Sequence, residues 1–459
     1  VIDSVLEGSE PQGLAEFEAK VPTGLFEMRT IKGLGPAKIR TLHEGLGIQS
    51  LSELEQACKE NRLVGLSGFG EKTQANILAG AAEFRRREGR MLRDAAQAIA
   101  RLVLDALTSS GVTRMALVGA LAMGEEVVDG VELLACADAA EVDATLTRLR
   151  DTEERLRGAN ARVHCAEANR FGFDEILRTS DEAHLAALRV RAASHRVDLE
   201  QAFACAADVY EALGLYFVSP ESRHAHTVLV VKGQPCQELI TREQLCGALH
   251  NHTKASDGTG TLQEMREAAT RAGLSYLGIS EHSQSADYAR GLSFTQLEAQ
   301  RAEIAALNSG HACVLLTGVE SDIRADGSLD YAPHELAQLD VVVASSHRRF
   351  SLDRTKATAR MIAAAMNPRT DIIGHPTGRL LLGRPPMEMD LEAFLDACAA
   401  NGCAVELNAS AHRLDLGVQG LRMAKERGLL VSIAADAHAP SEIEEHLTLG
   451  ITIARRAGL

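Results

Sequence analysis

Ala248-Leu249-His250-Asn251-His252-Thr253-Lys254-Ala255-Ser256-Asp257-Gly258 is an apolar strand end that runs into two histidines and a turn carboxylate. Residues two apart on a strand face the same way, so His250 and His252 can reach one centre. Working outward, the same ending recurs. Tyr276-Leu277-Gly278-Ile279-Ser280 runs into Glu281-His282, the apolar run from Val314 ends at Glu320, and the run from Asp340 ends at His347. Asp371-Ile372-Ile373-Gly374 ends at His375, and the run from Leu429 ends at Asp436, with His438 two residues on. Helical segments alternate with these runs to the C-terminus, which predicts parallel strands joined by crossover helices. In a closed α/β barrel the C-terminal ends of the strands converge on one face. One strand-end histidine is as easily an ordinary hydrogen-bonded residue. The repetition, with an H-x-H and a D-x-H pair, points instead to a metal cluster.

Imidazole and carboxylate donors together suit Zn, Mn or Fe better than Mg or Ca. The size of the set predicts two or three divalent transition-metal ions, Mn or Zn foremost, because one ion accepts roughly six donors at most. Clustered ions of this kind suit phosphoester hydrolysis, activating water and holding the attacking and leaving oxygens. The remaining His43, His164, His184, His224 and His226 read as surface or structural.

Composition sets bounds on the rest. The chain has 459 residues, 46% hydrophobic but only 3% aromatic and without Trp, so Leu, Ala and Val must fill its cores. Nine Cys occur without a C-x-x-C pair, and no stretch reads as a signal peptide or a membrane span, which points to a cytoplasmic location. A chain beginning at Val1 is expected to be a fragment or a trimmed product. The net charge of −15 by itself argues against a nucleic-acid partner. Residues 25–101, however, carry 13 Lys or Arg against 9 Asp or Glu, a mildly basic segment on an acidic body.

That segment holds a repeat. Ile31-Lys32-Gly33-Leu34-Gly35-Pro36-Ala37-Lys38 precedes a helix, and Leu66-Ser67-Gly68-Phe69-Gly70-Glu71-Lys72-Thr73 repeats the arrangement. Gly permits positive φ and close approach to a phosphate, and the helix that follows offers free N–H groups. The reading is tandem helix–hairpin–helix elements gripping DNA without regard to sequence, through Gly33, Gly35, Lys38, Gly68, Gly70 and Lys72.

Leu249-His250-Asn251-His252-Thr253, Ser256-Asp257-Gly258, Glu281-His282-Ser283, Gly318-Val319-Glu320, Ser346-His347, Gly374-His375-Pro376 and Asp436-Ala437-His438 resemble the signature elements of the PHP (polymerase and histidinol phosphatase) superfamily. The resemblance covers residues 245–459 and implies a (β/α)₇ barrel with a trinuclear site. Its metal ligands would be His250, His252, Asp257, His282, Glu320, His347, His375, Asp436 and His438. Glu281 departs from the family, which usually has Asp there. Arg379, in Gly374-His375-Pro376-Thr377-Gly378-Arg379, is a candidate phosphate clamp, or equally a structural salt-bridge partner.

The order of parts resembles a bacterial family X DNA polymerase. It implies a multidomain chain: the tail of an N-terminal lyase-like domain at 1–24, hairpins at 25–90, a small α+β nucleotidyltransferase-like palm and thumb at 91–200, a connector at 201–245 and the PHP barrel at 246–459. Leu213-Gly214-Leu215-Tyr216-Phe217-Val218-Ser219-Pro220-Glu221 resembles that family's connector. The polymerase signature itself is broken. Where the family has Gly-Ser and paired Arg, this chain has Gly119-Ala120-Leu121-Ala122-Met123. Where it has Asp-x-Asp, the chain has Gly130 and Glu132, and its third Asp falls near Arg162. Asp129 lies an odd number of residues from Glu132 and so faces the other way on a strand. The resemblance therefore implies a DNA-repair protein whose working chemistry is a metal-dependent 3′→5′ exonuclease in the barrel. The alternatives are a gap-filling polymerase, a small-molecule phosphatase of the histidinol-phosphate type, and a non-catalytic DNA-end-binding protein.

Overall fold

The structure, a computed structural model, describes residues 23–459 apart from 60–61, 64–65, 67, 88, 157–158, 237, 311 and 349–351, and backbone alone at 23, 52, 56, 59, 82–83 and 85–87. The segment expected as a lyase-like tail at 1–24 lies almost wholly outside the described residues. The chain divides at Arg90 into two compact units. Palm, connector and barrel, drawn as separate pieces from the sequence, pack into the second of them. Among the described residues no helix is long and apolar enough to cross a membrane.

The first unit is helical, with helices Thr23–Met28, Pro36–Leu46, Leu51–Lys59 and Glu71–Arg87. Its two hairpins share one turn geometry. Leu34 N–H donates to the Ile31 carbonyl at 3.0 Å, and Phe69 N–H to Leu66 at 3.1 Å. Gly33 and Gly68 hold φ of 93° and 85°, a region that side chains rarely enter. The helices then open on Gly35 and Gly70, whose carbonyls accept from Ile39 and Gln74. Ile31, Leu34, Leu42, Leu54 and Ile77 are buried together beneath them.

The second unit begins with a small α+β layer. β1 (Met91–Leu92) pairs antiparallel with β3 (Val127–Val128), while β2 (Met115–Val118), β4 (Val131–Ala135) and β5 (Ala161–Cys165) form a sheet in the order β2-β4-β5. β2 runs antiparallel to β4, and β4 parallel to β5. Helix Arg93–Ser109 lays Ala96, Ile99, Ala100, Val103 and Leu107 on this layer at helical spacing.

From Gly247 the chain builds a seven-stranded parallel sheet in sequence order: β6 (Gly247–Ala248), β7 (Tyr276–His282), β8 (Val314–Asp322), β9 (Val341–Ser345), β10 (Ile372–Gly374), β11 (Ala404–Asn408) and β12 (Val431–Ala434). A parallel bridge between Asn251 and Ala437 brings the two ends together. His252 N–H reaches the Ala437 carbonyl at 2.9 Å and Asp436 N–H the His250 carbonyl at 2.9 Å. Closure thus places the first and last ligand pairs side by side. Strands buried on both faces read as apolar runs, and β9 is Val-Val-Val-Ala-Ser with every residue buried.

Candidate metal centre

The expected ligands lie on the barrel's C-terminal face, most at or within four residues of a strand end, with Asp257 in the loop that follows β6. His282 closes β7 directly opposite Glu320 in β8. His347 follows β9, His375 follows β10, and Asp436 follows β12. Asp436 and His375 hold φ of 47° and 25°, backbone that costs free energy outside glycine and that clusters at working sites. Three overlapping groups emerge: His252, Asp257, His282 and His438; His250, His252 and Asp436; and His282, Glu320 and His347. In each, ligand atoms lie within 4.8 Å of one another. His252 and His282 are each shared by two groups. The structure therefore gathers eight of the nine expected ligands into these groups, with His375 beside them, its Nε2 2.8 Å from Glu320 Oε1.

Glu320 is the hub. One carboxylate, 1% exposed, lies 2.8 Å from His282 Nδ1, 3.1 Å from His347 Nε2 and 3.4 Å from His250 Nε2. Burial pushes its carboxyl up, but the charges of His347, His250 and His282 hold it well below the usual range. Burial likewise pulls His282 down, yet Glu320 and Asp257 raise it to about 10. His375 has no such carboxylate surplus, and burial, with the Arg413 charge, lowers it to about 4.

The donors fit bound cations. His250 Nε2, both ring nitrogens of His252, His282 Nδ1, Glu320 Oε2 and His375 Nδ1 are buried without a hydrogen-bond partner. Unpaired buried polar atoms cost roughly 1–3 kcal/mol each, a cost that bound cations would remove here. His282 Nδ1 lies close to Glu320 yet is poorly aligned for a hydrogen bond, as expected of two ligands of one ion.

The sequence reading missed the residues that aim these ligands. Glu406, fully buried in β11, accepts from His250 Nδ1 at 2.7 Å and from His375 N–H at 3.0 Å. This bond leaves His250 Nε2 to face the cluster. Asp322 holds His347 Nδ1 at 2.5 Å, and Asn408 Nδ2 donates to Asp436 at 2.8 Å. Period-two spacing was the available signal: Asp322 follows Glu320 on the same face of β8, and Asn408 follows Glu406 in β11. Glu281, the departure from the family pattern, is buried and accepts from Thr253 N–H, the hydroxyls of Thr253 and Ser256, and Gln300. It fastens the loop that carries Asp257.

Arg379 goes elsewhere. Its guanidinium donates to Glu126 at 2.8 Å, to the Arg413 carbonyl at 2.9 Å and to the Leu414 carbonyl. Of the two readings left open, the geometry matches the salt bridge. The guanidinium beside the cluster is Arg413, with Nε 3.6 Å from Asp436.

In the palm, Glu132 and Arg162 are register partners on β4 and β5, and Glu132 accepts from His164 Nε2 at 2.8 Å. A Cβ on Gly130 would lie 2.3 Å from the Asn160 carbonyl oxygen, so this strand is packed for glycine. In the hairpins Lys72 is exposed, and the Lys38 ammonium lies over the Phe69 ring at 5.5 Å, joining the first hairpin to the second.

A parallel barrel with an imidazole–carboxylate cluster at its strand ends, in a chain with paired hairpins, defines a DNA-binding protein with a metal-dependent phosphoesterase-type domain. Family models agree: SAM-like helix-hairpin-helix tandem matches residues 26–83, and PHP domain matches 248–410. The DNA polymerase/3′-5′ exonuclease PolX of Bacillus subtilis (strain 168) is 30% identical over 99% of this chain and 85% of its own. A probable phosphatase of Caldanaerobacter subterraneus subsp. tengcongensis is 30% identical over 41% of this chain and 74% of its own. A solved histidinol phosphate phosphatase of Lactococcus lactis matches at 17% identity and a TM-score of 0.34, over 46% of this chain and 94% of that one. The chain belongs to the family X DNA polymerases that carry a PHP domain.

Proposed function

We propose that this protein hydrolyses DNA phosphodiesters from a 3′ end at the barrel and does not polymerise. The observation that carries the reading is the contrast between the chain's two sites. The barrel keeps its converging donors, with buried atoms unpaired, whereas the palm keeps one carboxylate, Glu132, already bonded to His164 and flanked by Arg162. A two-metal nucleotidyl-transfer site needs several carboxylates and no such cation.

Bound divalent ions would supply an activated water and a charge clamp on the phosphate oxygens. The chain does the rest. Glu320 fixes the spacing of the imidazoles, and Glu406 and Asp322 fix their tautomers. Arg413 stands where a guanidinium can meet a phosphate oxygen. Hairpin N–H groups and Lys72 hold the duplex backbone, giving binding that ignores sequence. The natural metal is Mn or Zn on the donor chemistry.

The test is incubation of metal-loaded protein with end-labelled single- and double-stranded DNA. Stepwise shortening from the 3′ end, abolished by chelation and rescued by Mn²⁺, is expected. Hydrolysis of small phosphomonoesters with DNA left intact would favour the phosphatase reading, and templated extension would favour the polymerase.

A further inference from the structure

Tyr288 sits on the rim of the metal cluster in a position that no ligand role explains. Its ring centroid lies 6.0 Å from that of His282 and 6.1 Å from that of His347, edge-on to both, yet the residue is 60% exposed. The loop that carries the ring is nonetheless pinned. Ala286 and Ala289 on either side are buried, Ala289 N–H closes a tight turn on the Ala286 carbonyl, and Leu292 N–H returns to His282 at 2.8 Å. Ser285 fastens the loop below, with its N–H on Asp330 and its hydroxyl on Asp322. The Arg348 guanidinium lies 5.9 Å from the Tyr288 centroid and donates to the Ser285 carbonyl at 3.0 Å.

A large aromatic surface on a pinned loop, open to solvent beside the candidate metal cluster and with a cation against it, has the makings of a stacking partner. Every nucleobase has a π-face, and Arg adds cation–π attraction and a charge that can meet a phosphate. We propose that Tyr288, steadied by Arg348, is the platform on which the terminal nucleobase of the strand stacks while its phosphate lies over the metal cluster. The inference rests on reading the barrel as a nuclease. It makes Tyr288 a specificity residue: it selects nucleotide ends over phosphoesters that lack a base.

The chain has no Trp, so Tyr288→Trp places a single indole at this point. Its fluorescence should be quenched by a deoxynucleoside monophosphate and by a 3′-ended oligonucleotide, but not by deoxyribose 5-phosphate. In the nuclease assay, Tyr288→Ala should raise KM by about tenfold to a hundredfold, the usual worth of one stacked base, with kcat little changed. Tyr288→Phe should behave as the parent. Removing the terminal base from the substrate should cost the parent the same factor and cost Tyr288→Ala nothing more. Equal losses by Tyr288→Ala on base-bearing and abasic ends, or indole fluorescence indifferent to the base, would overturn the platform. Base-dependent quenching in a protein that leaves DNA intact would support the platform while sinking the nuclease.

Discussion

Glu406 touches two ligands by different atoms, the His250 ring and the His375 backbone, and so sets the direction of both. Its replacement by Ala should weaken metal binding by about 10- to 100-fold, the usual cost of losing such a partner. A titration of metal-free protein, read by elemental analysis, checks this; unchanged affinity would mean that packing alone aims His250. The comparison with Glu320 shows what the sequence makes legible. Glu320 was readable because it lies near the end of an apolar run, where convergence in a barrel is a rule of the fold. Glu406 lies inside its run, and a lone carboxylate there looks like a strand-edge residue until closure buries it. Arg379 was unreadable for another reason: its partner Glu126 lies in another layer, and no spacing rule links them. His184 offers a titration. Burial, with the Arg223 charge, lowers it to about 4, and its Nε2 is bonded to the Tyr210 hydroxyl at 2.8 Å. A folded-state value below the unfolded one of about 6.5 stabilises the fold above that pH, and the contribution is lost as pH falls toward about 4. Thermal melts of metal-free protein should decline across that window, and His184→Gln should flatten the decline; a parallel decline in the variant would assign it to other groups.

Among the elements, β4 is the most informative. Its apolar run, Val131, Leu133, Leu134 and Ala135, is buried, so on the proposed reading the element stands without its chemistry. A substitution Gly130→Asp restores the family's carboxylate in sequence only. Its Cβ would meet the Asn160 carbonyl oxygen, which Val131 N–H already uses at 2.8 Å. The variant should lose about 1–3 kcal/mol of stability, the common cost of overpacking, and gain no primer extension. Measurable templated synthesis in the parent protein, removed by Glu132→Ala, would instead show that this strand still works. The hairpins were legible as elements because Gly punctuates them at matching positions, and the shared turn geometry repeats the match in space. The barrel was legible as a sequence of strands. Its closure through Asn251 and Ala437 was not, since a single bridge leaves no pattern in the chain.

At the scale of the whole molecule, the proposed function assigns binding and hydrolysis to different units. Asp257→Ala removes a ligand shared by His252, His282 and His438, and should abolish hydrolysis while duplex affinity stays within about twofold. Lys38→Ala with Lys72→Ala should do the converse, lowering the slope of log affinity against log salt by about 1 for each lysine–phosphate pairing removed. Nuclease assays and binding curves at several salt concentrations separate the two; a joint loss in either variant would refute the division. The second unit has its own brace. Arg379 pairs with Glu126, Arg456 pairs with Glu125 and the Met123 carbonyl, and buried Arg93 donates to the carbonyls of Leu121 and Glu125 at 3.0 and 2.9 Å. Two of these arginines, Arg379 and Arg456, belong to the barrel and tie it to the α+β layer before it. Removing that layer would strip Arg379 and Arg456 of Glu126, Glu125 and the Met123 carbonyl. Substitution should therefore be tolerated at exposed Arg162 and resisted at Glu125 and Glu126.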